Sequence, residues 1–253
     1  MLEKIFGWCS FTFWSCVPYP QIYTNLKKKN SNGMSVNMIF FSLLQYTCYT
    51  TLSYILYFSN TIKNNYQQIM KDNSTDIYLS DIFFSSHALL STLFLTFQYF
   101  YYNHSDNKLT MQSKILLLTL TFIILMQIVF CITLYYIHND SSYLAYMILS
   151  LSISHNIFTF FKYIPQVYYT YKRKSTDGWN IQNVNFDILG GLFLLFESIT
   201  TAVKKHEIKI LVSNIAKLNL ILITIIFDIT MYIQYFIYPN TSINSPKIPL
   251  LLH

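Results

Sequence analysis

Charge is what this sequence has least of. Among 253 residues there are 17 Lys or Arg and 11 Asp or Glu, 11% of the chain, against roughly a quarter in an average soluble domain. That is too little charge to wet the surface of a soluble fold of this length. With the apolar residues gathered into long runs, the shortage excludes a soluble enzyme, a nucleic-acid binder and a disordered chain. Glycine (5) and proline (6) are also scarce, so each one that occurs carries information. No Gly-rich phosphate loop, nucleophile elbow or HExxH pattern is present, so nothing supports catalysis. The four cysteines, Cys9, Cys16, Cys48 and Cys131, all lie in apolar stretches. None forms a CxxC pair or stands at metal-ligand spacing from a histidine, so they read as free, packed thiols, with no metal expected.

Hydrophobicity is what the sequence has in excess: 53% of residues, with 18% aromatic and a mean hydropathy of +0.35. A spanning helix needs about 20 mostly apolar residues. Seven stretches qualify, at about 5–25, 36–58, 80–102, 115–137, 143–171, 183–203 and 215–238. The fold class expected is therefore all-α and integral to the membrane, with seven transmembrane helices. Connectors are short except 59–79, a polar stretch with the sequon Asn73-Ser74-Thr75. The run after Lys4 enters the first span without a small-residue cleavage site, so no cleavable leader is expected. The two densest basic clusters, Lys27-Lys28-Lys29 and Lys172-Arg173-Lys174, follow the first and fifth spans. Placing both in the cytosol puts the N-terminus in the lumen, the C-terminus in the cytosol, and the sequons at Asn73 and Asn139 in the lumen.

The scarce residues reveal a duplication. Shifted by 145 positions, Pro20-Gln21 falls on Pro165-Gln166, Tyr23 on Tyr168, Lys27-Lys28-Lys29 on Lys172-Arg173-Lys174, Gly33 on Gly178 and Val36 on Ile181. One domain over 1–253 is expected, with a first three-helix repeat at 1–103, a linker helix at 114–138 and a second repeat at 143–240. An odd helix count with the fourth as linker makes the two bundles parallel, which suits a substrate path at their interface. Duplicated structural helices without a path are the bland alternative. Proline inside a span frees a carbonyl and kinks the helix, so kinks are expected at Pro20-Gln21 and Pro165-Gln166.

Ionisable residues in spans are expensive, about 2.5–3.5 kcal/mol at mid-bilayer on insertion scales, and usually mark a pathway. Here they are Lys162, Asp187, Glu197, Lys217 and Asp228, with Asp81 at the start of the third span. Asn183, Asp187, Gly190 and Gly191 share one helix face, so a ligand or neighbouring helix can approach the Asp187 carboxylate closely. Lys162 precedes Pro165 by three residues. Lys162 and Asp187 could neutralise each other as a structural ion pair, or form the two ends of a zwitterion clamp. His155, two turns before Lys162 on nearly the same face, could see the same cavity. Asp81 and His87 do not share a face, and His104, His138, His206 and His253 read as solvated.

These motifs resemble the PQ-loop family, and within it the branch that exports cystine from lysosomes with protons. The resemblance rests on Pro18-Tyr19-Pro20-Gln21 through Gly33-Met34-Ser35, and on Lys162-Tyr163-Ile164-Pro165-Gln166 through Gly178-Trp179 to Asn183 and Asp187-Ile188-Leu189-Gly190-Gly191. Ser80-Asp81 through His87-Ala88 and Phe227-Asp228 add to it. It implies two parallel three-helix bundles joined by a linker. It also implies that Lys162, Tyr163, Asn183 and Asp187 contact cystine, that Asp81, Asp187 and Asp228 handle the coupled proton, and that Lys217 matches a family lysine. Ser42 and His155 occupy substrate-site positions where the family has Asn and Lys. The expected partners are L-cystine or a related amino acid, protons and the lipid bilayer, with no nucleic acid and no cofactor beyond the proton as coupling ion. The expected setting is a lysosomal, vacuolar or other acidic-organelle membrane. A PQ-loop carrier of basic or other amino acids, a sugar carrier, and a receptor or sensor that binds without transport remain open.

Overall fold

The computed structural model describes residues 2–70, 77, 79–102, 108–204 and 215–238. The Asn73 sequon, His104, His206, His253 and the chain beyond 238 lie outside the described residues, and of Lys217 only the backbone is described. Nine helices are described: α1 (Leu2–Cys16), α2 (Pro18–Lys28), α3 (Val36–Phe58), α4 (Asn60–Met70), α5 (Leu79–Tyr101), α6 (Met111–His138), α7 (Ser142–Arg173), α8 (Gln182–Lys204) and α9 (Ile215–Ile237). The described residues contain no strand. Each stretch read as a span falls on a helix, the first on two in succession. By length and composition α6, α7 and α8 are long and apolar enough to cross a membrane. In α3 and α5 the same length is diluted by inward polar residues such as Gln45, Ser53, Thr92 and Gln98, all buried.

The outer surface is apolar, as a bilayer requires. On α6 only Leu117 and Cys131 are buried, while Leu118, Phe122, Phe130 and Tyr136 are exposed. A helix apolar all round at the periphery of a bundle faces lipid.

The polar connector 59–79 carries a helix of its own, α4. Tyr66 is buried there, Ile62 and Ile69 pack into the same core cluster as α7, and Asn65 Nδ2 donates to Ser141 Oγ at 2.8 Å. The motif prolines sit differently in the two repeats. Pro18 and Pro20 open α2 after a break at Val17, since neither can donate to the carbonyls one turn back. By contrast α7 runs unbroken through Pro165.

The duplication is visible at atomic level where the loops meet. Lys29 (φ 48°) and Lys174 (φ 52°) end α2 and α7 in the left-handed conformation, their N–H groups bonded to Asn25 O and Thr170 O. Gly33 and Gly178 then touch backbone to backbone. Around this contact each motif glutamine reaches across to the other repeat. Gln21 Nε2 donates to Gly178 O (2.8 Å) and its Oε1 accepts from Asn180 N (3.1 Å). Gln166 Nε2 donates to Gly33 O (3.1 Å) and its Oε1 accepts from Ser35 N (2.6 Å). Every partner obeys the same offset of 145. Further out, Lys28 pairs with Asp177 (2.6 Å) and Arg173 Nη1 donates to Asn32 O (2.6 Å). The third helices follow an offset of 136: Gln98 Nε2 bonds Ile22 O (3.1 Å) and Gln234 Nε2 bonds Val167 O (2.9 Å).

Both glutamines are almost fully buried, Gln21 at 0% and Gln166 at 1% exposure. A leucine at either position would strand a buried carbonyl and N–H, at about 1–3 kcal/mol per group. Gln21→Leu and Gln166→Leu are each expected to destabilise the protein by about 2–4 kcal/mol. Because both hold one interface, the double variant should fall short of the sum by at least about 0.5 kcal/mol. Denaturation of the four proteins in detergent checks this, and strict additivity would show two independent clamps.

Candidate functional site

Directly behind the double clamp lies a cavity between the repeats, and its lining follows the duplication. Val17 and Lys162, Pro18 and Tyr163, Gln21 and Gln166, Met34 and Trp179, Met38 and Asn183, Ile39 and Val184, and Ser42 and Asp187 all line it, each pair related by the offset of 145. The third helices contribute Thr92 with Asp228 and Leu95 with Met231, related by 136. Trp14, Tyr46, His87 and Ala88 complete the wall.

Symmetric in position, the two halves differ in chemistry. The second repeat presents an ammonium, a phenol, an amide and two carboxylates where the first presents Val17, Pro18, Met38, Ser42 and Thr92. Tyr163 Oη donates to Asp187 Oδ2 at 2.9 Å, and its ring stacks on Phe227 with centroids 5.1 Å apart. Lys162 is 8% exposed. Its Nζ stands 4.7 Å from the centre of the Tyr163 ring and 5.5 Å from that of Tyr46, within cation–π reach. Among the described residues no carboxylate lies within 4.0 Å of it. Of the two arrangements open to these charges, the structural ion pair is not formed: each contacts an aromatic partner, and both residues line the cavity. Asn183 Nδ2 donates to Gln21 Oε1 at 3.3 Å, which ties the cavity wall to the clamp.

Several polar atoms here lack a protein partner. Asn183 Oδ1, Asp228 Oδ2, Trp179 Nε1 and His87 Nδ1 are buried without a hydrogen bond, and all four residues line the cavity. Buried polar atoms are nearly always bonded, so these four give the cavity wall hydrogen-bonding capacity that no described protein group uses.

Not every candidate from the sequence arrives here. His155 does not line the cavity: its ring stacks on Tyr49 at 4.8 Å and its Nδ1 stands 3.4 Å from Gln45 O. Asp81 is half-buried in the first turn of α5, within electrostatic reach of Tyr49 and outside the lining. Glu197 sits against Gly7. Pro20 and Pro165 shape the helices without touching the cavity, while their neighbours Gln21 and Gln166 do both. The sequence reading missed Trp14, Tyr46 and His87. Trp14 packs its indole directly on Gly190, filling the space that the glycine leaves beside Asp187. Tyr46 is one of 22 tyrosines, marked only by standing one turn after Ser42 on the same face.

A family profile described as PQ loop repeat matches residues 2–62 and 147–206, the two copies of the duplication. A cystinosin homolog of Dictyostelium discoideum is 34% identical over 98% of this chain and 88% of its own length. A cystinosin homolog of Caenorhabditis elegans is 30% identical over 96% of this chain, which spans only 59% of that protein. A protein of Saccharomyces cerevisiae named cystine transporter is 25% identical over 94% of each chain.

Proposed function

The chain belongs to the cystinosin family of PQ-loop-repeat membrane proteins, and from that premise we propose that it moves L-cystine together with protons, out of an acidic lysosome-like or vacuolar compartment and into the cytosol. The observation that carries this reading is that Lys162 and Asp187 line one cavity without forming an ion pair within 4.0 Å. A cation and a carboxylate that do not satisfy each other are available to the carboxylate and ammonium of an amino acid. The names of the relatives supply the substrate, and Asn183 and Asp228, each with an unpartnered oxygen, supply further contacts.

Sidedness follows from the basic clusters. Lys27-Lys28-Lys29 and Lys172-Arg173-Lys174 flank the clamped end, so the rule that places basic loops in the cytosol makes the clamp the cytosolic seal. Substrate and proton then load from the lumen. Protonation at Asp187 or Asp228 removes the cost of a desolvated charge, the clamp opens, and release follows on the neutral side. Each pH unit of gradient contributes about 1.4 kcal/mol per proton, roughly tenfold accumulation for one proton per substrate. The test is labelled cystine flux into proteoliposomes of purified protein, with and without an inward proton gradient. Gradient-stimulated, saturable uptake is the expected result. Saturable binding without flux would instead make the protein a receptor, and absence of both would end the cystine assignment.

One observation favours a second reading. The cavity sets two carboxylates, Asp187 and Asp228, against one lysine, and His155, where the resemblance expects a lysine, lies outside it. That balance suits a basic amino acid, and competition by arginine or lysine in the same vesicles would reveal it.

A further inference from the structure

Cystine carries two identical α-amino-acid ends, and the cavity has an evident place for only one of them. Lys162, Asn183 and Asp187 all stand on the second repeat. Their equivalents on the first are Val17, Met38 and Ser42, which offer a single hydroxyl. The first repeat's side of the lining brings one imidazole, His87 of α5, beside the Tyr46 phenol. Its Nε2 is fixed by the Tyr19 hydroxyl at 2.6 Å, the two rings lying 5.5 Å apart. Its Nδ1 is buried without a hydrogen bond, the one such atom in the described first-repeat residues that line the cavity.

We propose that His87 receives the second head group of the substrate, through a hydrogen bond from Nδ1–H to its carboxylate. This rests on the cystine reading above. When the Tyr19 hydroxyl donates to Nε2, the ring proton stands on Nδ1, where it is the donor that a carboxylate needs. Tyr19 is half exposed on the outer side, so it acts as a positioning residue, and His87 is the specificity-determining one. Two-headed and one-headed disulfides would thus be told apart on the first repeat, while the shared head group is held on the second. A donor left unpaired by a one-headed ligand carries a cost that bonded ligands escape, and such gaps give strong discrimination.

The experiment compares uptake of L-cystine with that of S-methylthio-L-cysteine, which keeps the disulfide and one head group and lacks the other. In the wild type cystine should show the lower KM. His87→Ala is expected to raise the KM for cystine about tenfold relative to that for the one-headed compound. His87→Gln, which retains an N–H donor, should recover most of the ratio, and Tyr19→Phe should lose about threefold in the same sense. A structural role would move both KM values together, and that result, or an unchanged ratio in His87→Ala, overturns the proposal. Equal wild-type KM values for the two compounds would overturn it while leaving transport intact. A wild type that neither moves nor is thermally stabilised by either compound sinks the transport reading itself, and the proposal with it.

Discussion

Gly33→Ala is expected to leave little folded protein. A Cβ built on Gly33 falls onto the carbonyl group of Gly178 and lies 2.6 Å from the Trp179 amide nitrogen. Both obstacles are backbone, so no side chain can rotate away and the repeats themselves must separate. Separation at this point stretches four hydrogen bonds at once, those from Gln21 and Gln166 to the opposite loops. Overpacking alone costs about 1–3 kcal/mol, and four stretched bonds at about 1 kcal/mol each bring the total to several kcal/mol. Gly178→Ala should be damaging for a second reason. Its φ of +82° is strained for any L side chain, and its Cβ would stand 2.9 Å from Gly33 N. Gly7→Ala serves as the control, since its Cβ would meet only the flexible end of Glu197 at 3.3 Å. In detergent, Gly33→Ala should elute largely as aggregate, or melt more than about 10 °C below the wild type, with Gly178→Ala less affected and Gly7→Ala within about 2 °C. A monodisperse Gly33→Ala protein with an unshifted melting point would show that the two loops are not in contact.

The same glycine pair shows what could and could not be read from the residues alone. Gly33 and Gly178 were legible as equivalents because glycine is rare here, but an offset says only which residues correspond. It does not say that the equivalents meet, and so the crossed bonds of Gln21 and Gln166 were invisible. Spans were legible because twenty apolar residues have few other uses. The helix α4 was not, since Ile62, Tyr66 and Ile69 are spaced to bury one face but sit among polar neighbours that dominate any average. His155 illustrates the limit of helical-face reasoning. Seven residues from Lys162 is nearly the same face, but also about 10 Å along the axis, and at that depth α7 is met by Gln45 and Tyr49 of α3 rather than by the cavity. Lys162, Asp187 and Asp228 were found because a charge in a span is rare, whereas Tyr46 is lost among 43 tyrosines and phenylalanines, and Trp14 and His87 carry no fixed charge to single them out.

Asp187→Asn should abolish gradient-driven accumulation of cystine and preserve a measurable exchange of cystine across the membrane. Asparagine has the volume of aspartate, and its Oδ1 can accept the bond that Tyr163 Oη now donates to Asp187 Oδ2 at 2.9 Å. The wall therefore keeps its shape and its phenol stays in place. What disappears is a charge that can be gained and lost as the cavity changes access. Without it the site is fixed in the neutral state, which still rocks between sides but carries no net proton, so accumulation should drop at least about 100-fold. Exchange driven by unlabelled cystine on the far side should fall no more than about tenfold, a loss of about 1.4 kcal/mol in substrate or transition-state binding. Lys162→Met separates the roles further. It removes the one lysine of the cavity, held between the rings of Tyr46 and Tyr163, and so should weaken binding and exchange together. Accumulation and exchange are measured on the same vesicles, with protein in the bilayer counted by a fused reporter. If Asp187→Asn still accumulates cystine against its gradient, the coupling proton is carried elsewhere. The next candidate is then Asp228, which is 3% exposed, lines the same cavity and has an Oδ2 without a partner.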